Sequence, residues 1–463
     1  VATCDVATGD CIAGARPCGD TLADGTVGAC GDAGVTQSCG EGDTAAVCTA
    51  CPPITLDFTL SQDNIIGTTG DDIFNGPLLF NASSGTQIPS FQTGDSANGL
   101  AGTDRVDASF NFTLANTIVP TSLAGIETIN LTNFGSALVT LSGTNISGAT
   151  AFNTVSSVFD VAVTGIQAKA NMGFKSINDT GVDHAMTFVV ASATSATNDE
   201  ITISLEGATV GTATVTTAST NGFETVNIAT NGTTANRLVT LTQTTGTSMT
   251  TAKFLGTANL TVDVIPTTIR TYDASGITGT NTLTLGSGSR ADATSTYATF
   301  AAVDILRITG GSGNDTFIFG TSLDSSDADQ SGESINGGTG DDVLQATFSS
   351  ALGSPLPLSA IEELRVNSTA NGSSFSLLNV SGVNKVTVDS DDTANTLTVD
   401  NTVVTSTAQT WPELAFRGDG TAAAQTYDTI TYNAFGASAS TGDKLTVSFA
   451  NRATALNATG TTN

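Results

Sequence analysis

The chain has 463 residues, only 12% of them charged, with 43 Asp plus Glu against 14 Lys plus Arg and a formal net charge of −29. Such an acidic chain repels phosphate backbones and anionic headgroups, so nucleic acid and anionic lipid surfaces are excluded as partners. One histidine, His184, cannot build a multi-histidine zinc centre, and a 39% hydrophobic share is too apolar for a disordered acidic tail.

Residues 1–53 form a cysteine-rich N-terminal segment that holds all seven cysteines: Cys4, Cys11, Cys18, Cys30, Cys39, Cys48 and Cys51. With few large apolar residues it cannot make its own core, so disulfides formed in an oxidising compartment are expected. The odd count leaves one thiol free or bonded to a neighbouring subunit. Cys48 and Cys51 form a CxxC pair with no second pair to complete a zinc site. Pro52-Pro53 reads as a stiff boundary. The sequence opens at Val1 without a charged region followed by an apolar one, so any secretory signal is expected to have been removed.

From residue 54 onward the pattern is that of strands. Val139-Thr140-Leu141, Leu238-Val239-Thr240-Leu241, Leu260-Thr261-Val262 and Leu397-Thr398-Val399 are apolar and polar in near alternation between Gly, Asn, Ser and Asp turns. Abundant Thr, Val and Ile favour extended backbone. No long segment has helical spacing, and no apolar run is long enough for membrane insertion. Three regions are expected: a β unit over 54–135, a Thr-rich β region over 136–305, and a second β unit with C-terminal strands over 306–463.

Four stretches share one motif: Gly, two residues, Gly, one residue, Asp, one residue, a large apolar residue. Gly67 and Gly70 precede Asp72; Gly99 and Gly102 precede Asp104; Gly310 and Gly313 precede Asp315; Gly337 and Gly340 precede Asp342. Glycines let the backbone turn its carbonyls toward one point, and the Asp adds a charged oxygen. Oxygen donors without nitrogen or sulfur select Ca2+. Asp71, Asp95, Glu333 and Asp341 are candidate extra ligands.

The motifs sit in a duplicated unit. Gly94-Asp95-Ser96-Ala97-Asn98-Gly99 matches Gly332-Glu333-Ser334-Ile335-Asn336-Gly337, and Ile126-Glu127-Thr128-Ile129 matches Ile361-Glu362-Glu363-Leu364. Paired motifs about 30 residues apart fit adjacent turns of a solenoid. The expected fold is all-β, either a β-solenoid (β-helix-like) or tandem β-sandwich modules.

The motif resembles the G-G-x-G-x-D-x-U-x nonapeptide of secreted calcium-binding β-roll proteins, the repeats-in-toxin group. Together with the G-[DE]-S-x-N-G approach, the I-E-x-[IL] strand, the Thr abundance and the acidic balance, the chain is similar to bacterial surface-layer proteins and related secreted β-strand-repeat proteins. That resemblance implies an exported, calcium-binding structural protein at the cell surface. It would assemble with copies of itself into an extracellular lattice or filament.

Two other readings are a calcium-dependent adhesin, with cell-surface polysaccharide as a candidate partner, and a β-helix polysaccharide lyase with Arg105 or Arg307 as base. A lyase is disfavoured because both arginines read as strand residues facing solvent. Sugar platforms are few, with Trp411 the single tryptophan. His184 lacks the surroundings of a catalytic triad. The chain is therefore expected not to be an enzyme.

Overall fold

The computed structural model describes residues 53–178, 199–217, 222–244, 249–266, 268–285, 307–319, 334–348, 358–368, 370–377, 382–389, 395–403 and 412–417, with a few further strands and single residues. Three short antiparallel strands, Ala2–Cys4, Cys11–Ala13 and Cys30–Gly31, represent the N-terminal segment. The expected disulfides lie outside the described residues, as do Glu333, His184 and Trp411.

Every regular element among the described residues is a strand. The chain divides into two compact units, Val1–Phe223 with Gln243–Thr247, and Glu224–Thr242 with Ser248–Asn463. The division falls inside the expected Thr-rich region.

The first unit is a parallel β-solenoid. Its first sheet takes Thr55–Asp57, Ile73–Gly76, Arg105–Phe110, Thr128–Asn133, Ala151–Val155, Asn171–Lys175 and Glu200–Glu206 in that order. A second sheet takes Asn116–Ile118, Val139–Ser142, Val161–Ile166, Ala185–Val190 and Thr209–Thr217. A short third sheet holds Asn64–Ile66, Ser96–Asn98, Ser122–Ala124 and Ile146–Ser147. In these three sheets each strand pairs in parallel with the strand one turn away and not with its neighbour in sequence, which excludes tandem antiparallel sandwiches; one antiparallel hairpin, Leu78–Asn81 with Thr86–Pro89, projects from the turns. The strands of the other sheets provide the crossover that parallel pairing requires.

The second unit repeats this plan. One sheet runs through Thr225–Asn231, Thr251–Gly256, Thr271–Ile277, Arg307–Thr309, Ser334–Asn336 and Leu358–Ser359. Another runs through Leu260–Val264, Leu283–Leu285, Thr316–Phe319, Val343–Phe348, Glu363–Ser368, Lys385–Asp389, Glu413–Arg417 and Val447–Ala450. Ser373–Ser376, Thr396–Val403 and Thr429–Phe435 make a third.

Alternation in sequence becomes alternation in burial: Thr128–Asn133 is half-buried and buried by turns. Because register holds from turn to turn, the inward residues stack. Phe74, Val106, Ile129, Phe152, Met172 and Ile203 occupy one row, all at most 1% exposed. Phe317, Leu344, Leu364 and Val386 form a comparable row in the second unit. Each such side chain contributes about 1.5–3 kcal/mol through burial.

The corner before each I-E strand turns left-handed. Gly125 has φ of 59° and the equivalent Ala360 has φ of 49°. A β-carbon is unfavourable there. Ala360→Gly is expected to raise stability by about 0.5–1 kcal/mol, whereas Gly125→Ala lowers it, since its new Cβ would lie 3.0 Å from the Leu100 carbonyl oxygen. Ile129→Ala is expected to cost about 2–5 kcal/mol. Urea unfolding of the three variants checks all of these.

Candidate functional site

The four motifs build one device. In each, the Asp side chain folds back over the first glycine. A Cβ on Gly67 would lie 2.6 Å from Asp72 Oδ2, and one on Gly310 2.9 Å from Asp315 Oδ2. Gly99 and Gly337 are equally crowded by Asp104 and Asp342. The first glycine of the motif therefore makes room for a carboxylate. The second glycines stack across turns, Gly102 on the Gly70 carbonyl and Gly340 on the Gly313 carbonyl.

All four motif Asp residues are at most 1% exposed, and each accepts a backbone N–H from the turn before it. The Ile54 N–H donates to Asp72 Oδ1 (3.1 Å), the Asp72 N–H to Asp104 Oδ1 (2.6 Å), and the Asp104 N–H to Glu127 Oε2 (2.7 Å). The second unit repeats the series: Leu283 N–H to Asp315 Oδ1, Asp315 N–H to Asp342 Oδ1 and Asp342 N–H to Glu362 Oε2, each 2.7 Å. Charge-assisted bonds of this kind are about twice as strong as neutral ones. Two three-step ladders of carboxylates thus tie successive turns together.

The steps of each ladder differ in what remains free. Asp72 Oδ2 accepts the Thr68 N–H, and Asp315 Oδ2 accepts the Gly311 N–H at 2.6 Å. Asp95 accepts from the Asp63 N–H at one oxygen (2.9 Å) and the Gln92 N–H at the other (2.6 Å). In contrast, Asp104 Oδ2 and Asp342 Oδ2 are buried with no hydrogen-bond donor. Asp71 is exposed and its Oδ1 accepts the Thr103 N–H at 2.7 Å; Asp341 is exposed and donates its N–H to Asn314 Oδ1 at 3.0 Å.

Burial pushes Asp104 up to about 6 and Asp342 up to about 7. The Asp72 and Asp315 N–H groups pull the other way, while like charges on the neighbouring ladder carboxylates add to the rise. Burial also raises Asp95 and Asp315, against the backbone bonds they accept.

Among the described residues no group of three or more His, Cys, Asp or Glu is disposed to hold a metal. An ion at a ladder would instead use one carboxylate and main-chain oxygens. Asp104 Oδ2 and the Gly125 carbonyl converge on Gly99, and Asp342 Oδ2 and the Ala360 carbonyl converge on Gly337. An unsatisfied carboxylate oxygen beside a carbonyl is chemistry that fits a hard cation. The engaged oxygens of Asp72, Asp95 and Asp315 offer less.

Arg105 and Arg307 are exposed strand residues, and Arg105 Nε is held by Asp107 Oδ2 at 2.9 Å. Glu127 and Glu362 were visible in the sequence only as part of a strand signature. Their place as the last step of each ladder depends on register.

A carboxylate whose folded pKa is raised stabilises the fold in its neutral form. That contribution is complete below the unfolded value near 4 and is lost as pH rises through the folded value. In chelator, the wild type is therefore expected to lose stability between about pH 4 and pH 7. Asp342→Asn should remove about 2–4 kcal/mol of that loss. Urea titrations at several pH values check it; an unchanged pH slope in the variant would contradict the assignment. No known family's sequence profile matches this chain, and no curated protein matches it in sequence.

Proposed function

We propose that this chain is a secreted calcium-binding structural protein whose copies join into an extracellular surface layer or filament. The observation that carries the reading is the repeat of one costly feature. Asp104 Oδ2 and Asp342 Oδ2, at the same position of the two duplicated units, are buried carboxylate oxygens without a donor. Leaving a charged oxygen buried and unpaired is unfavourable unless something neutralises it. Calcium, when bound, supplies that positive charge, with Asp104 and the Gly125 carbonyl, and Asp342 and the Ala360 carbonyl, as the oxygens that would hold it.

The rest of each ladder has a different task. Asp72, Glu127, Asp315 and Glu362 hold strand starts in register through backbone N–H groups. They fix where Asp104 and Asp342 sit. Much of the acidity near the motifs thus joins successive turns within each unit. A net charge of −29 opposes contact between copies, and a divalent cation lowers that repulsion.

The test is a calcium titration of thermal stability together with electron microscopy. Wild type is expected to gain stability by mass action, about 2.7 kcal/mol at a hundredfold excess over Kd, and to form ordered sheets or fibres that vanish on chelation and return with calcium. The double variant Asp104→Asn, Asp342→Asn should lose the stability gain. Equal gains in wild type and variant would defeat the calcium assignment. Absence of assemblies in every condition would defeat the scaffold.

A further inference from the structure

We infer that the outward face of the first sheet of the first unit is a binding trough for a neutral, hydroxyl-rich oligosaccharide. The argument begins with register. Asp57, Asn75, Asp107, Asn130 and Asn153 occupy the same outward position on five successive strands. The next position is Gly173, where a side chain would collide with the Asn153 carboxamide oxygen. Amide and carboxylate groups therefore line up across the strands at the sheet spacing of about 4.8 Å.

The row is bonded internally, with one break. Asn75 Nδ2 donates to Asp57 Oδ1 at 2.7 Å. Asn130 Nδ2 donates to Asp107 Oδ1 at 2.7 Å, and Asn153 Nδ2 to Asn130 Oδ1 at 2.8 Å. Asn75 and Asp107 turn their bonds away from each other. A cavity of about 540 Å³ opens over this break, lined by Asn75, Asp107 and Asn130 together with Ser109, Thr128 and Thr132. Its size is in the range of small-ligand sites.

The lining selects the ligand class. It mixes acceptors (Asp107, Asn75) with hydroxyls that can donate or accept, which is what a sugar ring's own hydroxyls require. Both cations at the cavity are already balanced: Arg105 by Asp107 at 2.9 Å, and Lys175 by Glu206 at 3.8 Å. No unpaired positive charge remains at these two residues to attract a phosphate or a uronic acid. The apolar part of the lining is Ala108 and Val155, too little for a lipid or a hydrophobic peptide. A row of like groups repeated from strand to strand suits a polymer of like units. Sheet strands, not loops, hold most of the groups, so the site is preorganised. With no aromatic ring in the lining, affinity rests on hydrogen bonds, and a Kd on the order of 1 mM is expected.

The test uses the full chain in calcium and three neutral hexasaccharides as probes: cellohexaose, xylohexaose and mannohexaose. Hexagalacturonate serves as the acidic comparison. Calorimetry and saturation-transfer NMR are expected to show saturable binding of at least one neutral probe. Thr132→Met, which fills the cavity from a side chain at its wall without adding an aromatic platform, and Asn130→Ala should each weaken it at least tenfold with an unchanged thermal midpoint in Thr132→Met. Hexagalacturonate should bind at least tenfold more weakly. No binding by any neutral probe, binding indifferent to both variants, or tighter binding of hexagalacturonate would overturn the inference. Asp104 also lines the cavity, so the probes are measured again in chelator; none of these outcomes depends on self-assembly, and the scaffold and the trough fail separately.

Discussion

The structure depends on a carboxylate that accepts the backbone N–H of a neighbouring turn. At each glycine corner the chain leaves one strand direction for another, and the N–H of the Asp just before the new strand takes a carboxylate in place of a carbonyl. The adjacent turn supplies that carboxylate. Asp104 does this for Asp72, Glu127 for Asp104, Asp342 for Asp315 and Glu362 for Asp342. Turn-to-turn register is then fixed at its weakest point, and the inward rows of Phe, Ile, Leu and Val can stack without slipping.

The same arrangement concentrates like charge. Three carboxylates follow one another along each ladder, and burial raises Asp104 and Asp342 well above the ordinary carboxylate range. Where both oxygens find N–H donors, as at Asp315 and Asp95, the charge is partly compensated by backbone dipoles. Where one oxygen is left over, proton uptake becomes coupled to folding. A solenoid built this way gathers its uncompensated carboxylate oxygens at defined corners, while its core rows stay apolar.

The outward face follows a different logic. Side chains that alternate away from the core are free of packing demands, yet register still lines them up. On the first unit's first sheet this produces an amide row with a gap and a cavity over it. Binding chemistry at that place would come from the repeat of the backbone, which converts scattered Asn and Asp residues into an ordered array.

Much of this was legible in the sequence. Alternating Thr and Val or Leu residues, Gly-Asn-Asp punctuation and duplicated motifs gave an all-β chain with solenoid turns as one of two options. The choice against sandwiches needed the parallel pairing, because period-two alternation is the same in both. The four motif Asp residues were also legible, through their spacing from glycine. Their inequality is local as well, though the motif alone does not show it. The N–H four residues before Asp72 and Asp315 goes to the second carboxylate oxygen, whereas the N–H of Leu100 goes to Asn98 Oδ1 and that of Gly338 to Asn336 Oδ1, leaving Asp104 and Asp342 without it. Glu127 and Glu362 look like ordinary strand-start residues until the neighbouring turn brings Asp104 and Asp342 to them. The outward row from Asp57 to Asn153 has no sequence signature, since its members are separated by irregular loops. The sequence by itself determined strand type, the corner chemistry and the duplication, because these are local properties of backbone and side chain. Tertiary structure alone decided which backbone N–H of the adjacent turn each ladder carboxylate reaches and which outward side chains align, because those depend on register between turns 18 to 32 residues apart.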